Sequence, residues 1–113
     1  MRLSKIAAIG AVLAMTATPA MADRIVGKWT VTETGTAAQI SKCGNAFCAK
    51  LTSGDHAGKT IGRLTGGNGN YEGKLTDPRD GKTFRGKAWF SGKNLKLRGY
   101  SGILFRTQTW SPR

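Results

Sequence analysis

The sequence predicts an all-β protein, a small antiparallel closed barrel of about eight strands behind a short N-terminal leader. Three observations predict it. Ile, Val, Thr and aromatic residues recur in short runs broken by Gly, Asn, Asp and Pro, and 16 of the 113 residues are glycine, which is the punctuation of many short strands. Within those runs apolar and polar residues alternate with period two. Beyond Ala22 no stretch keeps a helical period or a heptad repeat.

Arg2 and Lys5 precede an uncharged stretch from Ile6 to Met15, and Ala20-Met21-Ala22 forms an A-x-A site, the three parts of a secretory signal peptide. The apolar stretch is about half the roughly 20 residues that a membrane span needs, so residues 1–22 are expected to be cleaved after Ala22, and the protein is not expected to be a transmembrane one. Residues 23–113 then form a single domain of 91 residues, 113 less the 22 of the leader. Its charge is +10, because Arg2 and Lys5 take two from the 18 basic residues and leave 16 against 6 acidic ones. A field of that size attracts anionic surfaces, and the leader predicts a periplasmic or secreted location.

From Ile25 to Glu33, Ile25, Gly27, Trp29 and Val31 fall on one side and Lys28, Thr30 and Thr32 on the other, a half-buried strand. Ala38 to Cys43 and Cys48 to Ser53 form the next pair, with Gly44-Asn45-Ala46-Phe47 between them. Setting Cys43 opposite Cys48 places Ile40 opposite Leu51 on the other side of the ribbon. A structural disulfide fits an oxidising compartment, and so short a loop contributes about 2 kcal/mol. A redox or metal pair is disfavoured by the C-x4-C spacing and a single histidine.

Gly54 to Asn70 is loop-rich, with a short strand possible from Thr60 to Thr65. Next, Tyr71, Gly73 and Leu75 alternate with Glu72, Lys74 and Thr76, and Asp77-Pro78-Arg79-Asp80-Gly81 is a turn. Phe84, Gly86, Ala88 and Phe90 then face one way. After Ser91-Gly92-Lys93-Asn94 the parity switches, so Leu95, Leu97 and Gly99 face inward. Pairing Phe90 with Leu95, Ala88 with Leu97 and Gly86 with Gly99 satisfies every inward position in one register. A last strand runs from Ile103 to Trp110, and closure removes the edges that an open sandwich would expose.

Gly27-Lys28-Trp29 and Arg106 resemble the signature of lipocalin-like barrels, in which a basic side chain from the closing strand covers the tryptophan. An outer-membrane barrel is excluded by Lys74, Arg85, Lys87, Lys96 and Arg98 on the outward face. Five fragments extend the resemblance: Gly27-x-Trp29, Cys43-Gly44 with Cys48, Asp77-Pro78-x-Asp80-Gly81-Lys82, Leu97-Arg98-Gly99-Tyr100, and Arg106-Thr107-Gln108-Thr109-Trp110. In this order they resemble the exported bacterial proteins of the domain of unknown function 2147 family. The chain departs from that pattern at Ala49, where the family usually has Gly, and in a shorter central segment. The resemblance implies a lipocalin-like envelope protein and names no activity.

Two candidate sites follow from the pattern. On the outward face Trp89 stands opposite Lys96, Lys87 opposite Arg98 and Arg85 opposite Tyr100, with Lys74 beside Arg85. Facing like charges repel, and bound anions would relieve them while the aromatics contact a phosphate, sugar or base. The plainer reading is a solvated lysine-rich face with Glu72 partly neutralising Lys87. The second candidate is the interior, lined by Trp29, Tyr71, Phe84, Phe90, Leu95, Leu97 and Gln108, where a barrel of this size holds one small ligand or is filled by its own side chains.

His56 reads as an exposed loop residue without the nucleophile or co-ligands that catalysis or a metal would need. Asp77 and Asp80 read as turn formers and not as a glycosidase pair. Neither catalytic residues, nor a metal, nor a cofactor is expected. The sequence predicts a non-enzymatic envelope binding protein for an anionic envelope component or a small amphipathic ligand, with no specific nucleic acid partner. The alternative is a protein-directed inhibitor or chaperone of the envelope, for which basic targets would be repelled by the +10 charge.

Overall fold

A computed structural model describes residues 23–113. The expected leader and its cleavage point lie outside the described residues. Eight strands form one closed antiparallel barrel: β1 (Gly27–Val31), β2 (Thr36–Cys43), β3 (Ala46–Leu51), β4 (Thr60–Gly67), β5 (Asn70–Thr76), β6 (Thr83–Ser91), β7 (Asn94–Ser101) and β8 (Leu104–Pro112). Each strand pairs with the next, and β8 closes on β1 through Trp29↔Pro112, Thr30↔Ser111 and Val31↔Trp110.

The period-two pattern sets which way each side chain faces. Phe47, Ala49 and Leu51 of β3 are buried, as are Leu95 and Leu97 of β7, while the residues between them are more exposed. The β6–β7 register is the one the sequence predicts, with Phe90↔Leu95, Ala88↔Leu97 and Gly86↔Gly99. Lys74, Arg85 and Lys87 stand exposed on the outer wall, in place of the apolar band of a lipid-spanning barrel. No helix among the described residues is long and apolar enough to cross a membrane.

Three expectations change in detail. The first strand starts at Gly27, and Ile25 lies before it, fully buried, with its carbonyl accepting the Trp29 Nε1 hydrogen at 3.0 Å. The β2–β3 register is displaced by two residues: Cys43 pairs with Ala46, Cys48 with Ser41 and Ile40 with Ala49. The cause is a two-residue turn at Gly44-Asn45, whose first position has φ +67°, a conformation open to glycine that suits hairpin twist. A shift of two preserves the faces, so Cys43 and Cys48 still meet diagonally on the outer side as a disulfide, with Cα atoms 5.8 Å apart. Finally, β8 begins at Leu104 because Gly102-Ile103 forms the turn.

The interior divides into two halves. At the end bearing the Gly44, Gly69 and Gly92 turns, Trp29, Phe47, Tyr71 and Phe90 pack together. Ring centroids there are 6.1 Å apart for Trp29–Phe90, 5.7 Å for Phe47–Tyr71 and 6.4 Å for Tyr71–Phe90. The Tyr71 hydroxyl donates to Asp23, and Ile25 is fully buried in the same core. Two cations rest on these rings, the Arg24 guanidinium 3.9 Å from the Phe90 ring centre and the Lys42 ammonium 5.6 Å from that of Phe47. Arg106 does not cover Trp29 as the lipocalin-like signature implies. It pairs with Gly99, whereas Trp29 meets Pro112 at the far end of β8.

Candidate functional site

The other half of the barrel is hollow, and the sequence shows how. Around one ring of inward positions run Leu64, Gly73, Gly86, Gly99 and Arg106, each paired with the next across β4 to β8. Gly99 leaves this level open, whereas a Cβ on Gly73 would strike the Arg63 carbonyl oxygen and the space at Gly86 is taken by Leu75. Leu75 folds over the first part of the row, with its Cδ1 2.7 Å from where a Cβ on Gly86 would sit, but reaches only to 3.9 Å at Gly99. Beyond it lies a cavity of about 860 Å³, within the range of small-molecule sites. Its apolar walls include Val31, Leu51, Leu75, Phe84, Leu97 and Trp110. Ile61 joins them from a β-bulge, the extra residue between Ala49↔Gly62 and Lys50↔Thr60.

Polar groups border the cavity from several strands and turns, Thr36, Thr76 and Lys82 among them. On β8 every second residue, Leu104, Arg106, Gln108 and Trp110, borders the cavity, the first two exposed at its mouth. The indole nitrogen of Trp110 donates to Gln108 Oε1 at 3.2 Å. An indole N–H can only donate, so it orients the amide and leaves the Gln108 NH2 group to donate elsewhere. Arg106, one step nearer the mouth, adds a guanidinium. β8 thus carries two donor groups at the mouth above an apolar cup.

The carboxylates of this rim are held by the chain itself. Glu33 accepts from the Thr109 backbone N–H at 3.0 Å. Asp77 accepts from the Arg79 backbone and guanidinium, at 2.9 and 2.7 Å, and these hydrogen bonds lower its pKa to about 2. Asp80 accepts from the Lys82 N–H at 2.9 Å. Asp77 and Asp80 are therefore turn formers. His56 is half-buried in the β3–β4 loop at the mouth. Among the described residues no group of three or more His, Cys, Asp or Glu converges as a metal site would.

The outer-wall candidate comes together as the register requires: Trp89↔Lys96, Lys87↔Arg98, Arg85↔Tyr100, Lys74↔Arg85 and Glu72↔Lys87 all pair. Repulsion between Lys87 and Arg98 is relieved by the chain itself. The Arg98 guanidinium lies 5.0 Å from the Trp89 ring centre and 4.3 Å from that of Phe105, and its Nε donates to Thr107 at 2.8 Å. Arg85 stacks on Tyr100 at 4.6 Å, and Lys96 donates to Thr109 at 2.7 Å. Glu72 forms no ion pair with Lys87, because the ion pair among the described residues is Arg79–Asp77. The wall is a cationic field whose guanidiniums rest on aromatic rings.

Of the seven residues expected to line the interior, Phe84, Leu97 and Gln108 border the cavity. Trp29, Tyr71, Phe90 and Leu95 belong to the packed half or its floor. Sequence reasoning missed Trp110 and Leu75 as walls and Arg106 as a mouth residue, although the alternation through Arg106, Gln108 and Trp110 carries the signal.

Residues 58–112 match the family model described as an uncharacterized protein conserved in bacteria (DUF2147). The match spans β4 to β8, which hold the glycine row and the donor pair, and the Gly27-x-Trp29 and cysteine motifs fall outside it. No curated protein and no solved structure matches.

Proposed function

We propose, from the premise that this chain belongs over residues 58–112 to the bacterial family DUF2147, that it is a non-enzymatic binding protein of the cell envelope which takes up an amphipathic acid. The apolar part of the ligand occupies the hollow half of the barrel, and its acidic head meets Arg106 and the Gln108 amide. The observation that carries this reading is the cavity of about 860 Å³ that Gly99, Arg106 and Gln108 border together. Gly99 pairs with Arg106, and a Cβ there would meet only Leu75 at 3.9 Å, so this position keeps open a space that a larger side chain would take. Carriage, and not turnover, is favoured because the mouth carboxylates are engaged by backbone and by Arg79. The outer cationic wall serves as a field that raises the local concentration of anions. The envelope location rests on the leader sequence.

Titration with a fluorescent polyene fatty acid tests this. Gly99 has an ordinary backbone conformation and Leu75 as its nearest neighbour at 3.9 Å, so Gly99→Leu fills the cavity with little strain on the wall. Binding is expected in the native protein and lost by more than tenfold in Gly99→Leu. Arg106→Ala is expected to weaken the acid on the order of tenfold, while leaving the corresponding alcohol unchanged. Unchanged binding in Gly99→Leu, or no binding by the native protein, overturns the reading.

A further inference from the structure

The β7–β8 hairpin ends in an apolar tip that the barrel core does not use. Ile103 is 96% exposed, Leu104 71% and Phe105 59%. They are consecutive and project beside the mouth of the cavity, which Leu104 and Phe105 border. The turn itself does not require them. Gly102, at φ +64°, meets its conformational demand, and the next turn position ordinarily takes a polar residue. Contiguous exposed apolar side chains on a small soluble barrel mark a contact surface.

The charges behind the tip identify what it contacts. Arg98 stacks 4.3 Å from the Phe105 ring, Tyr100 packs against Phe105 at 6.2 Å, and Arg85 caps Tyr100 at 4.6 Å. Arg106 follows directly in sequence. None of these three guanidiniums is ion-paired among the described residues. An apolar tip backed by cations matches the layering of an anionic lipid surface, with acyl chains beneath a phosphate layer. A second copy of the chain could also cover the tip, but residues 23–113 carry 16 basic against 6 acidic side chains, so two copies repel. The closed barrel also offers no free strand edge for pairing.

We infer that Ile103–Phe105 inserts into an anionic lipid surface while Arg85, Arg98 and Arg106 engage its phosphates, setting the cavity mouth against the lipid. The insertion stands on the tip alone. Its purpose, the exchange of an amphipathic acid with the lipid layer, rests on the function proposed above.

Sedimentation with vesicles of phosphatidylglycerol and phosphatidylcholine, or of phosphatidylcholine alone, tests the inference on the protein in the form its own cells accumulate. The mixed vesicles are expected to bind it at least tenfold more tightly at low salt. The double variant Ile103→Ser/Leu104→Ser, checked for an unchanged circular dichroism spectrum, is expected to lose about tenfold or more of that binding. Equal binding by the serine variant shows a purely electrostatic contact and overturns the insertion. So does a native protein that ignores vesicles, whether it stays monomeric or self-associates through the tip. Gly99→Leu separates the two proposals, since it is expected to keep vesicle binding while losing the fatty acid. A Gly99→Leu protein that keeps the fatty acid overturns the cavity reading and leaves the insertion standing, whereas a native protein that binds the fatty acid and ignores the vesicles overturns the insertion alone.

Discussion

Tyr71 is the residue at which burial, hydrogen bonding and charge act together. Its ring is 4% exposed and its hydroxyl donates to Asp23. Burial first, and then the hydrogen bond to the Asp23 carboxylate, push its pKa well above the ordinary value near 10. A folded pKa above the unfolded one means that the stabilisation is complete below about pH 10 and is lost as pH rises beyond it. Tyr71→Phe is therefore expected to cost about 1 kcal/mol at pH 7 and to flatten the decline of the urea midpoint above about pH 10. Parallel declines in the two proteins would refute the assignment. The inward direction of Tyr71 was legible from alternation, but its partner was not, because Asp23 lies 48 residues away.

The β2–β3 hairpin shows what an element's sequence can and cannot specify. Two cysteines on one side of a ribbon were legible, and so was their bridge. Their register was not, since Cys43 opposite Cys48 and Cys43 opposite Ala46 both keep Ile40 inside. The turn at Gly44-Asn45 selected the second. Because the bridge closes a loop between residues only five apart in sequence, its contribution is expected to be about 2 kcal/mol. A Cys43→Ala/Cys48→Ala protein should stay folded with its unfolding free energy, measured by denaturant titration, lowered by that amount, and failure to fold would show that the bridge holds more than this hairpin. The β6–β7 hairpin, by contrast, was legible to the rung, because a shift of one would expose a leucine and the two-residue turn at Gly92-Lys93, with Gly92 at φ +62°, excludes a shift of two.

At the scale of the molecule, the glycine ring sets the shape of the interior, and its members differ in ways the alternation hides. A Cβ on Gly73 would collide with the Arg63 carbonyl oxygen and come within 3.0 Å of the Leu64 Cα, whereas one on Gly99 meets only Leu75 at 3.9 Å. Gly73→Ala is expected to destabilise by about 1–3 kcal/mol as an overpacked site, while Gly99→Ala should leave the thermal midpoint within a few degrees. Equal losses at the two positions would show that the ring is uniformly packed and not hollow on one side.

The linear sequence by itself determined that the chain forms short strands with one greasy and one cationic face, where most of them turn, and which face each side chain takes. Those properties follow from alternation within a strand and from glycine at tight turns, both local. Only the tertiary structure decided that aromatic residues crowd one end while glycines meet at the other, and that Arg106 lies at the mouth and not over Trp29. The volume inside a barrel is a sum around eight strands, and which residues share a ring depends on how far each strand is staggered against the next.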